Sequence, residues 1–292
     1  MLKSHGRYGF TPITRRTDGT WPNGARLAVY FALGVEEYVF GEGLTENILA
    51  GATHPDLANT SWRDYGNRVG AFRILERFRS HDVPLAVLLN TAVYDHAPDL
   101  MRALSAAGCE MVAHGLTNSD TLNGMTEGQE AAYLAEVRDT IATHEGRAPL
   151  GWSSPWLAHT PLTLDLLREA GYGYVLDLHL DDRPVWLQTR SGPLLHIPYG
   201  LELNDSSTAI GRFATGRDFA AMIVDQFDEM LATADQPLVM SVVLHSFISG
   251  QPFRLRAVSE ALAHVLRRRD EIWLTTPAAI HAHIVANPDM AV

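Results

Sequence analysis

Three segments of this 292-residue chain end an apolar run on residues that can move protons. Leu27-Ala28-Val29-Tyr30-Phe31-Ala32-Leu33 leads into Gly34-Val35-Glu36-Glu37-Tyr38, Met111-Val112-Ala113 into His114-Gly115, and Met240-Ser241-Val242-Val243-Leu244 into His245. Two carboxylates held at a strand exit can divide labour, one ionised as a base while the other has its pKa raised or binds a cation. An imidazole at such an exit can bind a metal, orient a water or stabilise an oxyanion. Asn118 or Asp120 could reach the same pocket if the loop after His114 turns helically. His245 has the titration range to protonate a leaving nitrogen near neutral pH. Each residue alone also has an inert reading. A Glu-Glu pair is more often a solvated loop, and either histidine could be a core imidazole satisfied by a backbone carbonyl. Three strands that all end in acid-base residues are harder to dismiss, because a barrel brings distant strand ends to one mouth.

The elements that would position them alternate along the chain. Short β-rich runs at 26–33, 84–89, 109–113, 150–152, 174–176, 194–197, 238–243 and 272–274 are expected strands. Between them Leu134, Val137 and Ile141, and again Phe219, Met222, Ile223 and Phe227, recur at helical spacing, each set forming one apolar face. Further helices are expected over 70–78, 98–106, 161–170, 258–267 and 277–285, several opened by Pro or Asp near the first turn. Helix following strand throughout is the signature of βα units around a buried parallel sheet. Without a Gly/Pro/Ser-rich linker or an internal repeat, the expectation is one α/β domain, a closed or nearly closed barrel over residues 1–292 with an N-terminal extension of about 20 residues.

Composition narrows the functional classes. Hydrophobic residues make up 46% and charged residues 20%, as in ordinary globular chains. A net charge of −11 repels a phosphate backbone, so nucleic acid is not an expected partner. The opening MLKSHGRYGFTP lacks the apolar core of a signal peptide, and no stretch approaches the ~18 apolar residues of a membrane span, so a cytoplasmic location is expected. The single cysteine, Cys109, excludes intrachain disulfides and thiolate metal clusters; it reads as a buried structural thiol. His54, His81, His96, His144 and His281 fall in apparent loops or helix surfaces, where solvated roles are expected.

Several motifs in order resemble the NodB, or polysaccharide deacetylase, superfamily, and specifically its allantoinase-like branch, which hydrolyses a cyclic amide. They are Asp64-Tyr65-Gly66-Asn67-Arg68-Val69-Gly70, Cys109 to Gly115, Asp181-Asp182-Arg183-Pro184-Val185-Trp186, Ile197-Pro198-Tyr199 with Asn204-Asp205, and Leu244-His245 with Gly250-Gln251-Pro252-Phe253-Arg254. The resemblance covers most of the chain and implies a distorted (β/α) barrel. The superfamily's first motif is typically Thr-Phe-Asp-Asp-Gly, base then metal ligand; its place is taken by Gly34-Val35-Glu36-Glu37-Tyr38, which makes Glu36 the base and Glu37 the ligand. His245 matches the histidine that acts as general acid.

Where the family's second motif has two metal-binding histidines four residues apart, this chain has His114 and Asn118. A neutral carboxamide is a weak ligand, so a Glu37–His114–Asn118 site would hold zinc poorly, and the allantoinase-like branch is thought to work without metal. The expected cofactor is therefore none, or at most a weakly bound divalent metal such as zinc. In the third motif, Gly151-Trp152-Ser153-Ser154-Pro155-Trp156 keeps an aromatic wall and lacks the usual arginine. The resemblance thus implies a carbon–nitrogen hydrolase with Glu36, Glu37, His114 and His245 in catalysis and Asn118, Trp156, Asp182 and Arg254 toward a small amide or ureide. Two other readings stay open: an N-deacetylase of an amino sugar or small linear amide, and a binding protein that keeps the barrel without catalysis. A homo-oligomer is implied by the branch.

Overall fold

The computed structural model describes residues 4–16, 18–53 and 55–292, so His54 lies outside the described residues. The chain runs through β1 (Leu27–Val35), α1 (Leu57–Tyr65), α2 (Ala71–Arg79), β2 (Ala86–Leu89), α3 (Val93–His96), α4 (Pro98–Ala106), β3 (Glu110–Ala113), α5 (Glu127–Glu145), β4 (Gly151–Trp152), α6 (Thr163–Glu169), β5 (Tyr174–Val175), β6 (Val185–Leu187), β7 (Leu194–His196), α7 (Gly216–Ala232), β8 (Leu238–His245), α8 (Pro252–Leu266), β9 (Ile272–Leu274) and α9 (Pro277–Ala286). The spatial order is β6-β7-β5-β4-β3-β2-β1-β8, with β9 against the first half of β1. Every pair is parallel except β6 with β7. The outer edge of β8 meets the segment after β5 through Val239 N to Asp182 O (2.8 Å), and the segment after β7 through Val243 N to Leu203 O (2.8 Å). The sheet thus curls into the distorted (β/α) barrel expected.

The alternation of a strand sets what faces the barrel interior. In β1, Leu27, Val29, Phe31, Leu33 and Val35 pack outward with the helices, while Ala28, Tyr30 and Ala32 share the interior with Leu88, Val112, Tyr174 and Val243. The helices are bounded by ordinary signals. Thr126 and Gln129 close a reciprocal cap on α5, Thr215 and Asp218 do the same for α7, and Gly146 ends α5 in the left-handed region.

Four features depart from the sequence reading. The Asp64–Gly70 motif is helical, its two glycines lying in a wide turn that joins α1 to α2. Residues 185–187 form the antiparallel strand β6. Helix α8 starts at Pro252, six residues before the expected Val258. His281 is not simply solvated, being half-buried with its ring 6.0 Å from that of Tyr174, whereas His96 lies exposed on a helix as expected and reaches Glu37 from there. Cys109 is buried, which pushes its thiol up to about 11. Among the described residues no helix is long and apolar enough to cross a membrane.

Candidate active site

Glu36 follows β1 on the inward parity, after Ala28, Tyr30, Ala32 and Gly34, and so turns into the barrel mouth. In-register pairing sets Gly34 beside His245 at the end of β8. A Cβ on Gly34 would lie 3.0 Å from both Glu36 Oε1 and the His245 ring, so the glycine leaves the space in which they meet. Glu36 Oε1 is 3.3 Å from His245 Nε2 and 3.7 Å from His114 Nε2. Its Oε2 accepts from the Tyr38 phenol (2.6 Å) and the Asn118 carboxamide (3.0 Å).

Each imidazole is oriented from behind. His114 Nδ1 lies 2.8 Å from the Ser153 carbonyl, which can only accept, so Nδ1 carries the proton and Nε2 faces Glu36. His245 Nδ1 is 2.6 Å from Asp205 Oδ1, and Asp205 is in turn held by the His245 backbone N–H (2.9 Å) and by the Ser249 hydroxyl (2.5 Å). Asn90, at the end of β2, ties two strand exits together, accepting from Glu37 N (2.9 Å) and donating to the His114 carbonyl. Asn67, from the helical glycine motif, donates to the Glu36 carbonyl (2.7 Å).

The electrostatics divide the roles. Burial raises the Glu36 pKa, but His245 and His114 outweigh it and hold the carboxyl below the usual range. Burial works against charge on His245, yet Glu36 and Asp205 overcome it and keep the imidazolium well above the ordinary histidine range. The arrangement sets an ionised carboxylate beside a charged imidazolium, a base and an acid whose environments drive their pKa values apart. Burial and the neighbouring Glu36 and Glu46 keep the Tyr38 phenol protonated.

Glu36, His114, His245, Asn118 and Trp156 line one cavity of about 150 Å³, together with Glu46, Leu88, Tyr199, Asn204 and Ser206. Trp156, with a positive φ of 59°, donates its indole N–H to the Asn118 carbonyl (2.7 Å), fixing an aromatic wall at the mouth. Three expected residues are elsewhere. Glu37 sits on the outward parity and faces a neighbouring hollow that Glu36 and Tyr38 also border, 3.5 Å from His96 and 3.4 Å from Asn67 Nδ2. Burial pushes its carboxyl up, with His96 opposing. Asp182 borders a larger cleft of about 800 Å³ that contains none of Glu36, His114 and His245. Arg254 packs over the Phe253 ring and against Gly216, feeling Asp205 from behind the site.

The metal site implied by the sequence motif would need Glu37, His114 and Asn118 together. Glu37 faces away, and Asn118 turns its NH₂ toward Glu36 and Tyr38 (2.7 Å). Among the described residues no three His, Cys, Asp or Glu side chains are grouped to hold a metal ion, and the donor set does not fit one. Asp205, Tyr38 and Asn90 are site residues that the sequence reading did not single out. Asp205 and Tyr38 each lay inside a quoted motif, Asn204-Asp205 and Gly34-Val35-Glu36-Glu37-Tyr38; nothing local marked Asn90.

The chain can now be set beside known proteins. Residues 62–175 match the polysaccharide deacetylase family. A putative polysaccharide deacetylase of Schizosaccharomyces pombe is 26% identical, covering 88% of this chain and 89% of its own length. The crystal structure of PuuE allantoinase is 32% identical with a TM-score of 0.80, covering 91% of this chain and 92% of that one. That of a probable polysaccharide deacetylase from Pseudomonas aeruginosa PAO1 is 28% identical with a TM-score of 0.81, covering 91% and 93%. With its barrel and with these relatives along nearly its whole length, the chain belongs to the polysaccharide deacetylase superfamily, in the allantoinase-like branch, and is a hydrolase of non-peptide carbon–nitrogen bonds.

Proposed function

We propose that this hydrolase opens a small, uncharged cyclic amide or ureide by direct attack of water on the ring carbonyl. The observation that carries the reading is the Glu36–His245–Asp205 line, a carboxylate 3.3 Å from an imidazolium that is fixed from behind at 2.6 Å. A water that donates to Glu36 Oε1 and to His114 Nε2 has both protons accepted and a lone pair free for the carbonyl carbon. Glu36 takes one water proton as the carbon–oxygen bond forms. The ring carbon–nitrogen bond then breaks as His245 Nε2–H protonates the departing nitrogen. Proton transfer from Glu36 to His245 restores both groups, and the carboxylic acid product gives up the second water proton through His114 Nε2 to solvent and leaves as a carboxylate.

The cavity supports the substrate class. At about 150 Å³ it is smaller than the ~300–1,000 Å³ of ordinary ligand pockets, and among the described residues no Lys or Arg lines it to attract an anion. A ring amide is also more activated than an unstrained acetamide, which suits a site whose carboxylate and carboxamide are turned to each other rather than to a metal. The likeness to PuuE allantoinase supports the same reading. An N-deacetylase reading draws on the names of the other relatives, but a sugar polymer needs an open groove where this site offers a small cavity.

The test is a panel of allantoin, hydantoins, cyclic imides, linear amides and acetylated sugars offered to the wild-type protein, Glu36→Gln and His245→Ala. Ring opening by the wild type and a loss of about 10²–10⁴-fold in kcat for each variant are expected. Ring opening at the wild-type rate by His245→Ala would sink the scheme. Acetate release from an amino sugar, without ring opening, would favour the deacetylase.

A further inference from the structure

One buried acid beside the site takes no part in the proposed attack of water. Asp177 lies just past β5, is 4% exposed, and is not among the residues lining the catalytic cavity. Pairing across three strands brings it close. Trp152 of β4 sits beside Ala113 of β3 on one side and Val175 of β5 on the other, so His114, Ser153-Ser154 and Asp177 leave the sheet as neighbours.

Both Asp177 oxygens accept from one residue. Ser154 gives its backbone N–H to Oδ1 (2.7 Å) and its hydroxyl to Oδ2 (2.6 Å), while the Trp152 indole N–H donates to that hydroxyl (2.9 Å). Burial raises the Asp177 carboxyl, with Ser154, His159 and His114 opposing. A buried group that accepts at both oxygens and donates at neither is suited to be a carboxylate.

The Ser154 N–H and the Ser153 carbonyl belong to the same peptide unit. A trans peptide is planar, with its N–H and C=O pointing to opposite sides. Here the N–H reaches Asp177, and the carbonyl accepts from His114 Nδ1 at 2.8 Å. A carboxylate at one end of such a chain polarises the unit and strengthens the acceptor at the other.

We propose that Asp177 is a positioning residue for His114, acting through the Ser153–Ser154 peptide unit to keep the proton on Nδ1 and leave Nε2 as an acceptor for the attacking water. It does for His114 at one remove what Asp205 does for His245 by direct contact. When Nε2 takes the second water proton, the polarised carbonyl steadies the charge on the ring, so the effect falls on turnover more than on substrate binding. The inference rests on the water-attack reading for the use made of Nε2, whereas the tautomer is read without substrate.

The rival role is structural. Trp156 and Leu157 hold positive φ values of 59° and 52°, and Asp177 anchors the start of that strained turn through Ser154. The two roles part at the imidazole. NMR of protein carrying isotope-labelled histidine reads the tautomer from the two ring-nitrogen shifts, with His114→Gln identifying the signals. The wild type is expected to hold His114 as the Nδ1–H tautomer, and Asp177→Asn to give a mixture of the two. In the same variant kcat for ring opening should fall about tenfold or more, with KM within about twofold. Ser154→Ala, which keeps the peptide N–H, should keep the tautomer.

An Asp177→Asn protein that melts lower yet retains the Nδ1–H tautomer and the wild-type kcat would overturn the proposal and leave Asp177 as a turn anchor. A wild-type His114 protonated on Nε2 would also overturn it, as would loss of the tautomer in Ser154→Ala, which would put the effect on the hydroxyl. If Asp177→Asn fails to fold, the carbon resonance of the Asp177 carboxyl in the wild type decides: an ionised group supports the relay, and a protonated one overturns it. Absence of ring opening by the wild type, with the tautomers as expected, would instead overturn the proposed reaction and leave the positioning of His114 standing.

Discussion

Glu36 and Glu37 are chemically identical neighbours with opposite fates, decided by strand parity. Glu36 continues the inward row of β1 and meets two imidazoles; Glu37 continues the outward row and meets His96. The proposed attack of water needs Glu36 ionised and His245 protonated. The Glu36 pKa is lowered, so its acid limb in kcat/KM lies below the usual carboxylate value of about 4.3; that of His245 is raised, so its alkaline limb lies above the usual imidazole value of about 6.5. A plateau through neutral pH is expected, read from initial rates across a pH series. Asp205→Asn removes one of the two carboxylates that keep His245 charged, so the alkaline limb should move down. The turnover number should fall by about 10²-fold or more as the ring loses its anchor. An unchanged limb would mean that Asp205 only packs. The pair Glu36 and His245 was legible in the sequence because each ends an apolar run. Asp205 lay among the quoted motifs without a role, because its contact with His245 spans 40 residues and depends on the loop after β7 folding back.

At the scale of elements, the loop that follows His245 is held by the turn that joins α1 to α2. A Cβ on Gly70 would come 1.9 Å from the Ser246 carbonyl, and one on Gly250 would come 2.3 Å from Gly70 Cα, so two backbones touch where any side chain would separate them. Read as sequence, Gly66 and Gly70 look like breakers, and the motif shows no helical periodicity; close backbone approach is a reason for glycine that only the tertiary contact reveals. The same holds for β6, a three-residue strand with a half-exposed Trp186 after Pro184, too short and too irregular for a period-two signal. The long helices were easier, since Leu134, Val137 and Ile141 must share a face. Gly70→Ala is expected to destabilise the fold by about 1–3 kcal/mol through overpacking. Because the displaced loop begins at Ser246, it should also reduce turnover more than KM rises. Thermal melts and steady-state kinetics on the same preparation check both, and an unaltered Tm would show that the crossing is looser than the contact distances imply.

Across the whole molecule, three separate strands contribute Glu36, His114 and His245 to one mouth, while the residues meant to complete a metal site are dispersed by the same geometry. Glu37 lies just past the end of β1, and bringing it into the cavity by a change of register would require β1 to slip by one residue, which would turn Leu33 and Phe31 inward and Ala32 and Tyr30 outward. The parallel register of β1 with both β2 and β8 opposes that slip along its whole length. Asn118 cannot substitute, because its NH₂ is held by Glu36 Oε2 and Tyr38, and turning the carboxamide over would set its oxygen against a carboxylate. The barrel was legible from the alternation of strands and helices. The departure from the family's metal ligands was legible only as an Asn in place of a His; that Glu37 turns to the neighbouring hollow required the sheet. Protein stripped with a chelator is therefore expected to keep its ring-opening rate within about twofold, with no gain on added zinc. Metal analysis of the same samples should find zinc well below one equivalent per chain. A tenfold loss on stripping that zinc restores would mean that the Glu37 loop rearranges around a metal, and the direct attack of water through Glu36 and His114 would have to be abandoned.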